Sequence, residues 1–515
     1  MICISVNKDR FFYDIHSLVK AFYPTEEVSC FVSGTKSTDK DAGPIALDIT
    51  LSEERGTIAA VLFRKGDEDR RTGWICRTKC IPEKSKERIS SIDTAPVTDE
   101  RGERIYRAKN ALKRLLYRML AWETGRKLPW GSLTGIRPTH IPKVLLAAGR
   151  GEQEILGEME ETYFVSPEKA ALALEIAGRE RKILAERDYA NGFSLYVGIP
   201  FCPTTCLYCS FPSNPAAAGD ERMERYLRAL FAELDFTAQL FRDRRLDTVY
   251  IGGGTPTTLA PEQMERLLSR IRERFDLRDL REFTVEAGRP DSITSEKLRV
   301  LREQGVTRLS INPQTMQQRT LDLIGRRHTV EDVISAFHLA RESGAFSINM
   351  DLILGLPGEN ADDVADTLSR IAGLAPDDLT IHALAIKRGS RMQALMDTKG
   401  AVFPASPDID AAAELAQKQA RRMGLLPYYL YRQKNIAGNF ENTGFAREGA
   451  EGLYNILINE DVQSIAACGA GSISKCVRGD VITRSENVKD LEQYLLRIEE
   501  MIERKKKLYE EGKAE

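Results

Sequence analysis

Residues 196–211 read YVGIPFCPTTCLYCSF. Cys202, Cys206 and Cys209 fall within eight positions of a chain that has nine cysteines in 515 residues, and they follow C-x3-C-x2-C directly after an apolar, strand-like run. Zinc would ask for a fourth ligand, from a second CxxC or a pair of histidines. The chain has five histidines and none of them lies in this loop. A redox dithiol needs two thiols rather than three. Three thiolates on a short loop can instead hold three irons of a [4Fe–4S] cube and leave the fourth iron open to a substrate or cofactor.

Outward from the loop, the preceding run SLYVGI (194–199) is the first of six short β-branched runs. The others are DTVYIGG (247–253), EFTVEAG (282–288), TRLSINP (307–313), FSINMDLIL (346–354) and DLTIHALAI (378–386). Stretches of helical spacing separate them, such as MERYLRALFAELDFTAQLF (223–241) and TVEDVISAFHLARESG (329–344). Strands alternating with helices imply parallel βα units, in an open doubly wound sheet or a partly closed barrel, and in both the loops at the C-terminal strand ends form the site. The distinctive sequences sit on that side: the cysteine loop, GGGTPTT (252–258), EAGRPDS (286–292), NPQTM (312–316) and GLPGE (355–359). Five such loops on one rim are a stronger signal than any one of them.

The flanks differ. GPIALDITLS (43–52) and GTIAAVLFRK (56–65) have strand character, and residues 101–125 have helical spacing that stops at Gly125. Another helix starts at Pro167 with Ser166 as its N-cap. Cys76 and Cys80 in CRTKC show no obvious second pair and read as ordinary thiols. The tail DLEQYLLRIEEMIERKKKLYEEGK (490–513) reads as a charged amphipathic helix capping the surface. A net charge of −2 gives no basic field to attract nucleic acid. No run of about 18 apolar residues is present to span a membrane, and the first residues, MICISVNKDRFFYDI, lack the apolar core of a signal peptide. Thinly spread cysteines suit a reducing compartment, so a cytoplasmic location is expected.

The cysteine pattern with Tyr208 before its last member, on the first loop of six βα units, resembles the radical S-adenosylmethionine (SAM) superfamily. YVGIPFC, GGGTPT, FTVEAGRPD, RLSINPQTM, GRRHT (325–329), NMDLILGLPGE and YYLYRQKN (428–435) together are similar to the oxygen-independent coproporphyrinogen III oxidase family. GSLTGIRPTHIPK (131–143) and YLYRQKN resemble its HemZ branch, the coproporphyrinogen dehydrogenases. The resemblance implies an α/β fold: a partial (β/α)6 radical SAM barrel over 186–400, a mixed α+β N-terminal domain of unassigned role over 1–185, and a mostly helical, substrate-covering C-terminal extension over 401–515. It also implies a [4Fe–4S] cluster on Cys202, Cys206 and Cys209. The open iron would chelate SAM, and a donor such as flavodoxin or ferredoxin would supply the electron that turns SAM into a 5′-deoxyadenosyl radical.

Site residues follow from the resemblance position by position. Gly253, Gly254 and Thr255 would meet the methionine amino group of SAM, in a loop where the run from Gly252 lets backbone come close because no β-carbon intervenes. Glu286 would accept from SAM hydroxyls or its ammonium. Gln314, Arg326 and Asp351 would make polar contacts, and Asp351 in an apolar strand needs a partner on physical grounds alone. Tyr196 and Tyr208 would pack around cluster and SAM, and Ala385 would offer a backbone contact. Some members hold a second SAM, and Tyr208, Gln314, Arg326, Asp351 and Ala385 match that pocket. Without the family, Arg326 reads as a surface cation and the two tyrosines as core aromatics.

The implied reaction is oxidative decarboxylation of two propionates of coproporphyrinogen III to vinyl groups, giving protoporphyrinogen IX in heme biosynthesis. Four propionates call for cations, and arginine suits carboxylates through its planar fork; Arg388, Arg391 and Arg432 are candidates. One departure stands out: the best-known oxidases add a fourth cysteine where this chain has Phe211, after Ser210. CLYCSF is closer there to the family's heme chaperones, for which His328 and His382 would be candidate axial ligands. The expected partners are thus a porphyrinogen or heme-like small molecule and a reducing electron donor, with another radical SAM substrate as a third option.

Overall fold

The computed structural model describes residues 1–24, 26–33, 45–52, 57–64, 72–76, 100–216, 220–344, 346–387, 389–399, 408–433 and 440–510. Cys80, Arg388 and the side chain of Cys76 lie outside the described residues. The chain divides into two compact units, Met1–Gly178 with Tyr431–Glu441, and Arg179–Leu430 with Asn442–Glu515.

In the first unit, β1 (Ile2–Val6), α1 (Phe12–Phe22), β2 (Val28–Val32), β3 (Ile45–Ser52), β4 (Thr57–Arg64), β5 (Thr72–Cys76) and α2 (Glu100–Thr124) come first. They are followed by α3 (His140–Ala147), α4 (Glu152–Gly157) and the start of α5 (Pro167–Ala185). The sheet runs β2-β1-β3-β4-β5, with β1 parallel to both neighbours and β3, β4 and β5 antiparallel. Ile15, Leu18, Val19 and Phe22 recur at helical spacing, so α1 lays one apolar face on Ile2, Ile4 and Val6 of β1. Ser166 caps α5 through its hydroxyl and carbonyl, accepting from Lys169 N (3.3 Å) and Ala170 N (2.9 Å) respectively.

The second unit carries β6 (Gly192–Ile199), β7 (Phe201–Cys202), β8 (Asn214–Pro215), α6 (Glu221–Leu240), β9 (Arg245–Gly253), α7 (Pro261–Arg274), β10 (Glu282–Glu286) and α8 (Ser295–Glu303). Next come β11 (Arg308–Ser310), α9 (Gln318–Leu323), α10 (Val330–Glu342), β12 (Ser347–Leu354), α11 (Ala361–Leu374) and β13 (Asp378–Ala383). These six strands, β6, β9, β10, β11, β12 and β13, lie side by side in that order and parallel, as the βα rhythm predicts. Helices on the strand faces leave β6 buried along nearly its whole length, which is why it reads as an apolar run without alternation.

After α12 (Arg391–Lys399) the extension supplies α13 (Ile409–Arg422), β14 (Leu426–Tyr431), β15 (Asn442–Ala446), α14 (Leu453–Glu460), β16 (Ser464–Cys468), β17 (Ile473–Arg478), β18 (Val481–Glu486), α15 (Leu491–Leu496) and α16 (Ile498–Glu510). Helix outweighs strand in it, yet its five strands lengthen the sheet at both edges, to β14-β15-β13-β12-β11-β10-β9-β6-β16-β17-β18. β15 joins β13 antiparallel and β16 joins β6 parallel. Part of the extension therefore builds the sheet, and α14 lies at the N-terminal strand ends, opposite the cysteine loop. There Glu282, the first residue of β10, accepts from the backbone N–H of Leu453 at 2.6 Å, at the start of α14. The tail, expected as a solvated cap, buries Met501, Lys505 and Tyr509.

Candidate cofactor-binding site

The cysteine loop leaves β6 through Pro200 and is closed by a two-strand clip: Phe201 pairs with Asn214, and Ala216 N donates to the Cys202 carbonyl at 3.1 Å. A turn brings Cys209 N to within 3.3 Å of the Cys206 carbonyl. Neighbouring loops hold this hairpin by its backbone. Leu207 N donates to the Ile324 carbonyl (2.9 Å), Met392 N donates to the Leu207 carbonyl (2.9 Å), and Thr255 N donates to the Phe201 carbonyl (2.7 Å). The buried Arg289 binds Asp291 through two nitrogens at 3.0 Å and reaches Thr204 Oγ1 at 2.7 Å. Four neighbouring segments thus fix where three sulfurs sit.

The glycine run is shaped by these neighbours. A β-carbon on Gly254 would stand 2.5 Å from the Phe201 carbonyl and 3.0 Å from Cys202 Sγ. One on Gly252 would meet Glu286 Oε1 at 2.8 Å, and Gly253 has φ +108°, a conformation that side chains rarely adopt. Close approach is the reason for Gly252 and Gly254, approached by Glu286 and the cysteine loop respectively, and the backbone conformation is the reason for Gly253. Thr255 is buried and its hydroxyl donates to Cys202 Sγ at 3.5 Å.

Parallel register sets the rest. Tyr196 of β6 is paired with Tyr250 of β9, so their rings stack at 6.1 Å between centroids, and Tyr454 of α14 stacks on Tyr250 at 4.6 Å. Tyr250 donates its hydroxyl to Glu286 Oε1 at 2.6 Å. Desolvation pushes the Glu286 carboxyl up to about 7, opposed by the Tyr250 hydrogen bond and aided by the Asp351 carboxylate. Asp351 accepts from Asn349 Nδ2 at 2.7 Å and has His382 Nε2 3.9 Å away. Burial would raise its carboxyl, but His382 and Asn349 beside it hold it below its ordinary value. Asn349 also donates to Ser310 Oγ (2.7 Å), which donates to Asn312 Oδ1 (2.7 Å), so a polar ladder crosses β11 and β12.

Gln314 has φ +68° and is held by backbone hydrogen bonds to Asp351 and Ile353, both 2.9 Å, while its buried Oε1 has no partner. Arg326 is buried rather than on the surface; its guanidinium donates to the Asn312 carbonyl at 2.5 Å and the Gly288 carbonyl at 3.2 Å, and its Nε is unpartnered. Burial lowers the Arg326 guanidinium, but Tyr208 and Cys206 beside it more than reverse this. Ala385 follows the end of β13, after Leu384 N donates to the Leu354 carbonyl at 2.9 Å.

These features fit a three-thiolate cluster with a polar cofactor. Burial pushes the Cys202 thiol up to about 11, and Cys209 is raised for the same reason, so the free thiols are neutral at pH 7 and a metal must displace their protons. Buried Arg289 and Arg326 supply compensating positive charge. Orphaned Gln314 Oε1 and Arg326 Nε are buried polar atoms of the kind that a bound polar group satisfies. Among the described residues no three His, Cys, Asp or Glu side chains converge on a single ion; ligands spread around a multi-iron cube have no need to.

Of the candidate cations, Arg391 is exposed and donates to the Thr205 carbonyl of the cysteine loop at 3.3 Å. Arg432 belongs to the first unit, where it is buried, donates to the Leu133 carbonyl at 2.7 Å and lies over the Trp130 ring. His328 is 1% exposed, whereas the His382 side chain is 25% exposed. Sequence reading missed Tyr250, Arg289, His382 as the partner of Asp351, and Tyr454. EAGRPDS contained a signal for Arg289, an arginine at a strand end two residues from an aspartate. Tyr454 had none, because its partners lie some two hundred positions away in the chain.

Residues 196–371 match the model of the radical SAM superfamily. The chain is 35% identical to the oxygen-independent coproporphyrinogen-III oxidase-like protein HemZ of Bacillus subtilis (strain 168), over 98% of this chain and 97% of that protein. It is 32% identical to the heme chaperone HemW of the same organism, over 59% of this chain and 75% of that protein. The solved structure of coproporphyrinogen III oxidase (HemN) from Escherichia coli superposes with a TM-score of 0.50 at 27% identity, covering 62% of this chain and 72% of that one.

Proposed function

The chain belongs to the radical SAM superfamily and within it to the family of HemZ-like, HemN-related proteins, and from that premise we propose that it is an oxidative decarboxylase of coproporphyrinogen III. The family binds a [4Fe–4S] cluster and SAM. Two propionates would each give up one hydrogen atom to the deoxyadenosyl radical, then carbon dioxide and one electron, the electron to a one-electron acceptor, to become vinyl groups, yielding protoporphyrinogen IX in the cytoplasm. Likeness along almost the entire chain to a HemZ protein is the observation that carries this reading.

When bound, the reduced cluster and SAM supply a 5′-deoxyadenosyl radical, which takes a hydrogen atom from a substrate carbon. The chain's own work is to position and to shield. Cys202, Cys206 and Cys209 hold the cluster, and Thr255 steadies Cys202 by its hydroxyl. Glu286 and the glycine run seat SAM, with Tyr196 and Tyr208 alongside. Asp351, kept ionised by His382 and Asn349, accepts from an ammonium or hydroxyl group. Gln314, Arg326 and Ala385 would complete this pocket or a second SAM pocket. Arg391, exposed beside the cysteine loop, takes a propionate.

Protein reconstituted without oxygen, reduced, and given SAM with coproporphyrinogen III tests the proposal. Formation of 5′-deoxyadenosine with stepwise loss of two carboxyl groups from the porphyrin mass is expected. Deoxyadenosine with an unchanged porphyrin mass would overturn it.

A second reading is a heme chaperone. Phe211 in place of a fourth cysteine and the likeness to HemW favour it. His382, whose side chain is 25% exposed, is then the axial ligand, and buried His328 is not. Heme titration of His382→Ala separates the two: an unchanged heme-iron spectrum argues against that ligand.

A further inference from the structure

Three residues beyond Glu286 stands Arg289, a cation that neither SAM nor the substrate needs. Its side chain is 3% exposed, and the Asp291 side chain that pairs with it is 30% exposed. Nε and Nη2 donate to the two Asp291 oxygens, each at 3.0 Å, a planar two-point match that leaves Nη1 to reach elsewhere. Nη1 donates to Thr204 Oγ1 at 2.7 Å, and the Thr204 hydroxyl in turn donates to the Gly325 carbonyl at 3.3 Å. Thr204 stands midway between Cys202 and Cys206, so the cation is fastened to the centre of the C-x3-C span. The backbone behind it is fastened too. The Arg289 carbonyl accepts from Ser292 N at 3.0 Å and from Ser292 Oγ at 2.6 Å, and that hydroxyl lies 2.6 Å from Thr257 Oγ1 of the glycine-run loop.

A buried cation that cannot move relative to a cluster acts on it in one direction. Reduction adds a negative charge to the cluster, and a fixed positive charge nearby favours the reduced form, most strongly where water is excluded. The Asp291 carboxylate opposes that effect, but it is the more solvated partner and its field is the better screened. We infer that Arg289 is a positioning residue that sets the reduction potential of the cluster. It holds the cysteine span through Thr204 and raises the potential by its charge, while Asp291 orients it and offsets part of that charge. The step concerned is the transfer of one electron from an external one-electron reductant to the cluster, with no bond made and no proton moved. The inference rests on the reading that the three cysteines hold a [4Fe–4S] cluster.

A redox titration of the anaerobically reconstituted protein, with dithionite and mediators and with the reduced cluster read by electron paramagnetic resonance, tests it. Arg289→Gln should lower the midpoint potential, leaving about tenfold less reduced cluster at a given potential, a shift of about 59 mV for one electron. Arg289→Lys keeps the charge and should stay close to the parent. Asp291→Asn should move the potential upward. A side chain that only braced the loop would give the same sign in the Gln and Asn variants, because both loosen the same contacts. Thr204→Val removes the fastening and keeps the charge, so a chelator should strip iron from it about tenfold faster than from the parent. An Arg289→Gln potential equal to the parent's would overturn the assignment. So would an Asp291→Asn potential that does not rise, or iron loss from Thr204→Val at the parent's rate. A parent that takes up no cluster reducible by one electron would overturn the cluster reading itself.

Discussion

At the end of β10 the Glu286 carboxylate occupies the space that a β-carbon on Gly252 would need and accepts a hydrogen bond from the Tyr250 hydroxyl at 2.6 Å. Desolvation moves its carboxyl from an ordinary 4.5 to about 7. Because the folded-state value is raised, the folded chain binds the extra proton between those two values. The stability this group contributes is fully present below about 4.5 and is lost as pH rises through 7. That loss is on the order of 1–3 kcal/mol at alkaline pH. Glu286→Gln carries no charge to bury. The metal-free variant should therefore melt above the parent at about pH 8, and the two should converge near pH 5. Its affinity for SAM should fall, most of all at the higher pH, as equilibrium dialysis would read. A melting difference of the same size at both pH values would refute the account.

Helix α14 is eight residues long, too short to be stable unaided, and its place is fixed from outside. The Glu282 carboxylate accepts from Leu453 N at 2.6 Å and Tyr454 N at 3.4 Å, so a strand-end glutamate 171 positions away does the work of an N-cap. That cap also sets Tyr454 against Tyr250. Glu282→Ala should cost about 1–2 kcal/mol. Amide exchange should quicken along residues 453–460, and the near-ultraviolet circular dichroism of the tyrosine stack should weaken. Glu282→Gln, whose carbonyl oxygen can still accept, should lose less; equal exchange rates in all three proteins would count against the cap. The contrast shows what the sequence made legible. The six parallel strands were readable because each β-branched run is local and bounded by glycine or proline, and the loops after them inherited their positions. Arg326 was misread alone, because whether a cation lies on the surface depends on the carbonyls of Asn312 and Gly288, which only the fold brings to it. The Glu282 cap and the Tyr454 stack were invisible for the same reason.

Over the whole molecule, the last helix shows how a surface-looking segment closes a fold. Lys505, Lys506 and Lys507 are indistinguishable in sequence, but Met501, Lys505 and Tyr509 recur every four residues and share the buried face of α16. Lys505 Nζ donates to Glu233 Oε1 at 2.9 Å, Thr237 Oγ1 at 3.0 Å and Cys468 Sγ at 3.2 Å. Glu233 also accepts from Gly469 N at 2.8 Å, Tyr494 Oη at 2.6 Å and Asn487 Nδ2 at 2.8 Å. One buried ion pair thus ties α6, β16, α15 and α16 together beside β6, the strand that delivers the cysteine loop. Removing only the cation strands a carboxylate in the interior, so Lys505→Met should cost about 3–5 kcal/mol. Adding Glu233→Gln removes the stranded charge and should recover much of that loss. Lys506→Met, on the exposed face, should stay within about 0.5 kcal/mol of the parent. Urea midpoints of the four proteins decide it: equal losses for the two lysine variants, or no recovery in the double variant, would mean that the tail is the solvated cap its charges suggest and not a strut of the sheet.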